Sequence, residues 1–167
     1  PASICTSLNE EVVHGIPSDR AIQSGDIIGI DVGVQYEGYH ADAARTFPVG
    51  TVGKDVLNLI AVTRDSFYEG IGAIKAGSRL GDLSHAIQCY VESHGYSVVR
   101  DFVGHGIGRQ MHEEPQIPNF GERGTGPFLK TGMALAIEPM VNQGTWQVHI
   151  VDNHWTVVTN DGAWSAH

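Results

Sequence analysis

The chain has 167 residues, 41% of them hydrophobic and 17% charged, which permits a packed core and excludes a disordered tail. A net charge of −9 argues against a broad phosphate-binding surface, so no nucleic-acid partner is expected. No apolar run approaches the roughly 20 residues of a membrane span, and no signal peptide is visible, so no membrane partner is expected either. The two cysteines, Cys5 and Cys89, form no disulfide or metal pattern, and a reduced, cytoplasmic setting is the default. One domain over residues 1–167 is expected. It reads as an excised piece, because no methionine precedes Pro1 and "DGAWSAH" has no tail-like composition.

In chain order, "GDIIGIDVGVQYEGYHADAARTF" (25–47) alternates as two strands around a turn near Tyr36 to Gly38. With Tyr36 and Glu37 at the centre of the turn, Asp31 and Asp42 fall opposite each other on one face. A one-residue slip would separate them. Val56, Leu59, Ile60, Thr63, Phe67, Ile71 and Ile74 then repeat at helical spacing. After "KAGS", a second helical stripe runs through Leu83, Ala86, Ile87, Tyr90 and Val91 and ends at Gly95. "SVVRDFV" reads as a strand entering a histidine loop. A proline- and glycine-rich loop covers 115–127, and "GMALAIEPMV" and "HWTVVT" read as two further strands. "GDIIGID" and "GMALAIE" echo each other: each runs from glycine through short apolar residues to an acid, hinting at two related halves that face one site.

The stretch "GHGIGRQMHEEP" (104–115) places three glycines around His105 and returns to His112 seven residues later. Such glycines let a backbone bend and pack closely, so that His105 projects into a site. Asp31, Asp42, His105 and Glu138 are candidate ligands. Oxygen donors with one imidazole suit divalent manganese, iron, cobalt or zinc, and paired carboxylates let two ions share a bridging oxygen. Each of these residues alone is more often solvated, capping or core. It is the set, acids on apolar strands with a glycine-flanked histidine, that points to metal. His14, in "VVHGIP", reads equally well as a plain loop residue.

Taken together, "NEEVVHGIP", "DIIGIDVGVQYEGYHADAARTF", "FVGHGIGRQMHEEPQIP" and "MALAIEPMV" resemble the methionine aminopeptidases in order and spacing, over nearly the whole chain. Only 25 residues separate His112 from Glu138, which leaves no room for the long insertion of the type II enzymes and is similar to type I. The resemblance implies an α+β pita-bread fold, two pseudo-symmetric strand-and-helix halves around a dinuclear metal centre. It implies removal of the N-terminal methionine from nascent proteins and peptides in the cytoplasm, with two divalent ions (Co, Mn, Fe or Zn). Contact with the ribosome cannot be read from the residues. By the same resemblance, Asp31, Asp42, His105 and Glu138 bind metal, with Asp42 bridging and Glu138 also moving a proton. His14 and His112 contact the substrate near the scissile amide, and Cys5, Met111 and Trp155 line the methionine pocket, although Cys5 reads as well as core packing. A fifth ligand, a glutamate on a last strand, follows a segment like "WSAH" in the family, whereas this sequence ends at His167. By the same resemblance the family's domain begins ahead of Pro1, so parts of it are expected to be absent from this sequence. Two other readings stay open: a proline-specific peptidase of the same fold, and a non-catalytic binding module in this shortened form.

Overall fold

A computed structural model describes residues 2–167; Pro1, read above as the start of an excised piece, lies outside them. Strands β1 (Cys5–Leu8) and β2 (Glu11–Val13) open the chain, followed by the hairpin β3 (Ile27–Tyr36) and β4 (Tyr39–Pro48). Helices α1 (Lys54–Gly72) and α2 (Leu80–Ser93) come next. After them lie the short strands β5 (Ser97–Val98), β6 (Gly104–Gly106), β7 (Glu113–Ile117) and β8 (Leu135–Ala136). β9 (Val141–Asn142), β10 (Val148–Ile150), β11 (Val157–Thr159) and β12 (Ser165–Ala166) complete the order. They form four antiparallel sheets, in the orders β1-β3-β4, β10-β11-β2, β12-β9-β5 and β7-β6-β8.

The hairpin forms where alternation predicted it, in a different register. Tyr36 pairs with Tyr39, so Glu37 and Gly38 are the central turn residues, both at positive φ (49° and 81°), as a type I′ turn requires. Gly38 meets that demand without cost, since it has no Cβ to clash. Asp31 therefore pairs with Ala44, and Asp42 with Gly33. The partners shift by two residues, a full pleat period, so the two aspartates stay on one face as diagonal neighbours.

Both helices follow their apolar stripes. Leu59 and Val62 of α1 pack with Leu83, Ile87 and Val91 of α2 in the main core, which extends to Val98, Ile117, Leu129 and Val141. Ile71, on the expected stripe, is instead exposed. Gly95, at φ 82°, follows the end of α2 in the left-handed conformation that closes many helices. A smaller core joins Val12, Val13, Val99, Met140 and Val157. Met140 and Val141, adjacent in sequence, face different cores, so the segment around them ties the two together.

Four other expectations need correction. "SVVRDFV" is strand only at Ser97–Val98, and the histidine stretch is itself a strand, β6. The loop expected from residue 115 begins inside β7, whose Pro115 is tolerated because β7 is a sheet edge and needs no second ladder there. "GMALAIEPMV" is not one strand: β8 pairs with β6, β9 pairs with β5 and β12, and the chain changes sheets between them at 137–140. Pro139, without an N–H, falls in that crossover. Of "HWTVVT", only Val157–Thr159 is strand, because a turn from Val151 to Thr156 precedes it. No helix of the described residues is long and apolar enough to cross a membrane.

Candidate active site

Asp31 and Asp42 project from the same face of the β3–β4 hairpin, and β1 lies along its other side with Cys5 opposite Asp31. β6 brings His105 to them. A Cβ at Gly104 would overlap the Ala136 carbonyl oxygen of β8, and one at Gly106 the Glu114 carbonyl oxygen of β7. The glycines therefore serve close approach on both sides of His105; neither sits at positive φ, so no special bend is needed. Glu138 enters from the crossover after β8, where Asn119 donates a hydrogen bond to its backbone oxygen at 2.7 Å.

One ligand atom each from Asp42, His105 and Glu138 lies within 4.8 Å of the others. His105 Nε2 is 3.1 Å from Glu138 Oε1 and 3.5 Å from Asp42 Oδ2. Its Nδ1 lies 2.9 Å from the Gly106 carbonyl oxygen, which can only accept, so Nδ1 carries the proton and Nε2 presents a lone pair. With Glu138 ionised, two acceptors face each other, and Glu138 Oε1 is buried without a hydrogen-bond partner. Neighbouring ligand atoms on a first-row ion with bonds near 2 Å are about 3 Å apart, so a divalent cation between them satisfies both. Asp31 lies on the same strand face as Asp42 and lines the same cleft, close enough for the Asp42 charge to act on its carboxyl.

The electrostatics point the same way. Burial and the neighbouring Asp42 and Asp31 charges push the Glu138 carboxyl up to about 8. Burial, then Asp42, push Asp31 to about 6. A site that penalises its own anions this strongly is one that a cation relieves.

His14 follows β2 at φ 60°, an uncommon conformation for a side chain of its size. Thr156 donates to its carbonyl oxygen at 3.2 Å, while Phe102 meets its ring edge-on at 5.7 Å and Trp155 lies tilted at 5.8 Å. Burial, and His112 nearby, hold its imidazole below the ordinary histidine range. His112 packs edge-on against His105, with ring centres 4.3 Å apart. Cys5 is half-buried, its thiol raised by burial and by Asp31, and Trp155 is 45% exposed at the rim.

One cleft of about 420 Å³ is lined by all nine residues singled out from the sequence: Cys5, His14, Asp31, Asp42, His105, Met111, His112, Glu138 and Trp155. Sequence reasoning missed three neighbours. His167 is buried 3.8 Å from Glu138 Oε2, and burial lowers its imidazole to about 4. Phe102 and Asn119 support His14 and Glu138: Phe102 falls in the stretch that reads only as a strand, and Asn119 in the loop, so nothing marks either for the site. A second cleft, between β4, α1 and β8, shares Asp42, Glu138 and His167, so these three form part of the partition between the two.

Comparison with known proteins agrees with this geometry. The model for metallopeptidase family M24 matches residues 1–160. A methionine aminopeptidase of Clostridium acetobutylicum is 57% identical over all of this chain and 67% of its own length. The crystal structure of a methionine aminopeptidase from Thermotoga maritima superposes with a TM-score of 0.96 at 51% identity, covering 98% of this chain and 66% of that one. A prolidase from Pyrococcus horikoshii is more distant, with a TM-score of 0.72 at 25% identity, covering 84% of this chain and 40% of that one. The chain thus spans about two thirds of the length of the methionine aminopeptidases it matches. With its fold the α+β pita-bread architecture, the chain belongs to metallopeptidase family M24, and its relatives at 45–57% identity are methionine aminopeptidases.

Proposed function

We propose that this chain carries the catalytic site of a cytoplasmic aminopeptidase that removes methionine from the N-termini of peptides and nascent proteins. The observation that carries the reading is the single cleft in which buried carboxylates and a lone-pair imidazole meet a pocket lined by Cys5, Met111 and Trp155. Soft, polarizable sulfurs and an aromatic face suit a thioether side chain.

Asp31, Asp42, His105 and Glu138 would hold two divalent ions of cobalt, manganese, iron or zinc. Asp42 would be shared, since it belongs both to the group with His105 and Glu138 and to the pair with Asp31. Bound there, such ions supply Lewis-acid polarisation of the scissile carbonyl and a lowered pKa for water. Glu138, through its carboxylate oxygens, takes the proton of the attacking water and passes it to the leaving amine. His112 donates to the carbonyl oxygen as charge develops on it. His14, fixed by Thr156, Phe102 and Trp155, contacts the substrate on the other side of the scissile amide.

The test is turnover of Met-Ala-Ser beside Ala-Pro peptides by the full-length, metal-loaded protein. Cleavage of the methionine peptide alone supports the reading. Preference for the proline peptide would favour a prolidase activity, and cleavage of neither would favour a binding module.

A further inference from the structure

We infer that Gly33 sets the depth of the substrate side-chain pocket by giving Met111 its seat; this rests on the methionine aminopeptidase reading above. Gly33 lies on the face of β3 that carries Asp31, directly opposite Asp42. Its missing side chain leaves a gap, and Met111 fills it: a Cβ at position 33 would stand 2.7 Å from the Met111 Cε and 3.6 Å from its Sδ. The first distance is well inside van der Waals contact, so the thioether end of Met111 would have to move.

Where it moves follows from what surrounds it. Met111 lines the cleft with Cys5 and Trp155, and Gly33 of β3 lines the same cleft. A methyl group at Gly33 drives the Met111 thioether away from β3 and into that cleft, the space a substrate side chain would occupy. Methionine is unbranched and flexible, so a single methyl group at position 33 costs little in the fold. It costs pocket depth instead. Long first residues then lose binding, and short ones keep it. Gly33 is therefore a specificity-determining position that touches no substrate itself and acts through Met111.

The experiment measures Gly33→Ala, Met111→Ala and the double variant in the full-length, metal-loaded protein. Calorimetry reads the binding of methionine and of the shorter 2-aminobutyrate, elemental analysis reads metal content, and peptide assays separate KM from kcat. Gly33→Ala should weaken methionine binding and raise KM by about tenfold, the usual worth of a methylene-scale change in an apolar pocket. Binding of 2-aminobutyrate, kcat and metal content should stay at the wild-type level. In the Met111→Ala background, adding Gly33→Ala should change methionine binding less than about twofold, because the group it would displace is gone. An unchanged methionine affinity in Gly33→Ala would overturn the inference. So would an equal loss in both backgrounds, an equal loss for both ligands, or a fall in metal content, which would show an effect through Asp31 and Asp42. If the wild-type protein binds and cleaves no methionine compound, the functional reading fails first, before any substitution is made.

Discussion

The hairpin from Ile27 to Pro48 and the segment from Gly132 to Asn142 carry look-alike sequences, and each delivers carboxylate to the same cleft by a different device. In the hairpin, Asp31 and Asp42 sit within ten-residue strands paired from end to end. Their direction is set by pleat alternation, which a two-residue register shift does not disturb. Glu138 instead lies in a break between two-residue strands of different sheets, with Pro139 beside it and Asn119 holding its backbone oxygen. Local periodicity secures the first pair, and long-range contacts secure the third. The two regions should therefore respond differently to perturbation.

The sharpest test is at Asp42, the residue that the proposed reading shares between two ions. Asp42→Asn should strip the protein of nearly all tightly bound metal and lower turnover by more than about a hundredfold, exceeding the usual cost of losing a supporting contact to a ligand. Elemental analysis after dialysis checks the first, and the Met-Ala-Ser assay the second. Glu138→Gln should spare part of the binding through the hairpin pair. Equal metal loss in the two variants would erase the distinction between the regions.

His112 belongs to neither region and separates chemistry from coordination. His112→Ala should keep metal content while turnover falls by roughly 10²–10³-fold, the effect of removing a donor to a developing oxyanion. Loss of metal in this variant would place His112 among the ligands.

The electrostatic asymmetry is visible in metal-free protein. Glu138 is raised from 4.5 to about 8 on folding, so the protonated form is favoured in the native state. Its contribution is fully present below pH 4.5 and is lost as pH rises through about 8. Asp31, raised from 3.8 to about 6, adds a loss over a lower and narrower window. The Tm of the metal-free protein should drop by roughly 5 °C or more between pH 5 and 8, and Glu138→Gln should flatten most of that slope. Divalent ion added at pH 8 should restore Tm. Calorimetry at several pH values decides, and an unchanged slope in Glu138→Gln would place the titration elsewhere.

The smallest effect concerns the hairpin alone. Glu37 occupies a left-handed turn position that asparagine adopts more readily, so Glu37→Asn should stabilise by about 0.5–1 kcal/mol without altering metal content. A loss of stability would mean that the turn is not centred on Glu37 and Gly38.

Much of this molecule was legible in its sequence. Alternation marked the hairpin, while its register, and with it the shared face of Asp31 and Asp42, came only from the pairing in the structure. Helical spacing marked α1 and α2, and the glycine-rich stretch marked His105. These are local signals, carried by neighbours three or four positions apart at most, and the backbone periods of 2.0 and 3.6 read them directly. The short strands β5, β8, β9 and β12 carry no such signal. Two residues cannot display a period, and their conformation comes from pairing with partners far away in sequence, such as His105 with Ala136 and Asn142 with Ser165. For the same reason the chain by itself named the types of residue the site would use, while only the tertiary structure decided their meeting. It put His167 against Glu138, Met111 on Gly33, and Thr156 under His14, contacts spanning 29, 78 and 142 positions. Each depends on the packing of several elements at once, and no window along the sequence contains both partners.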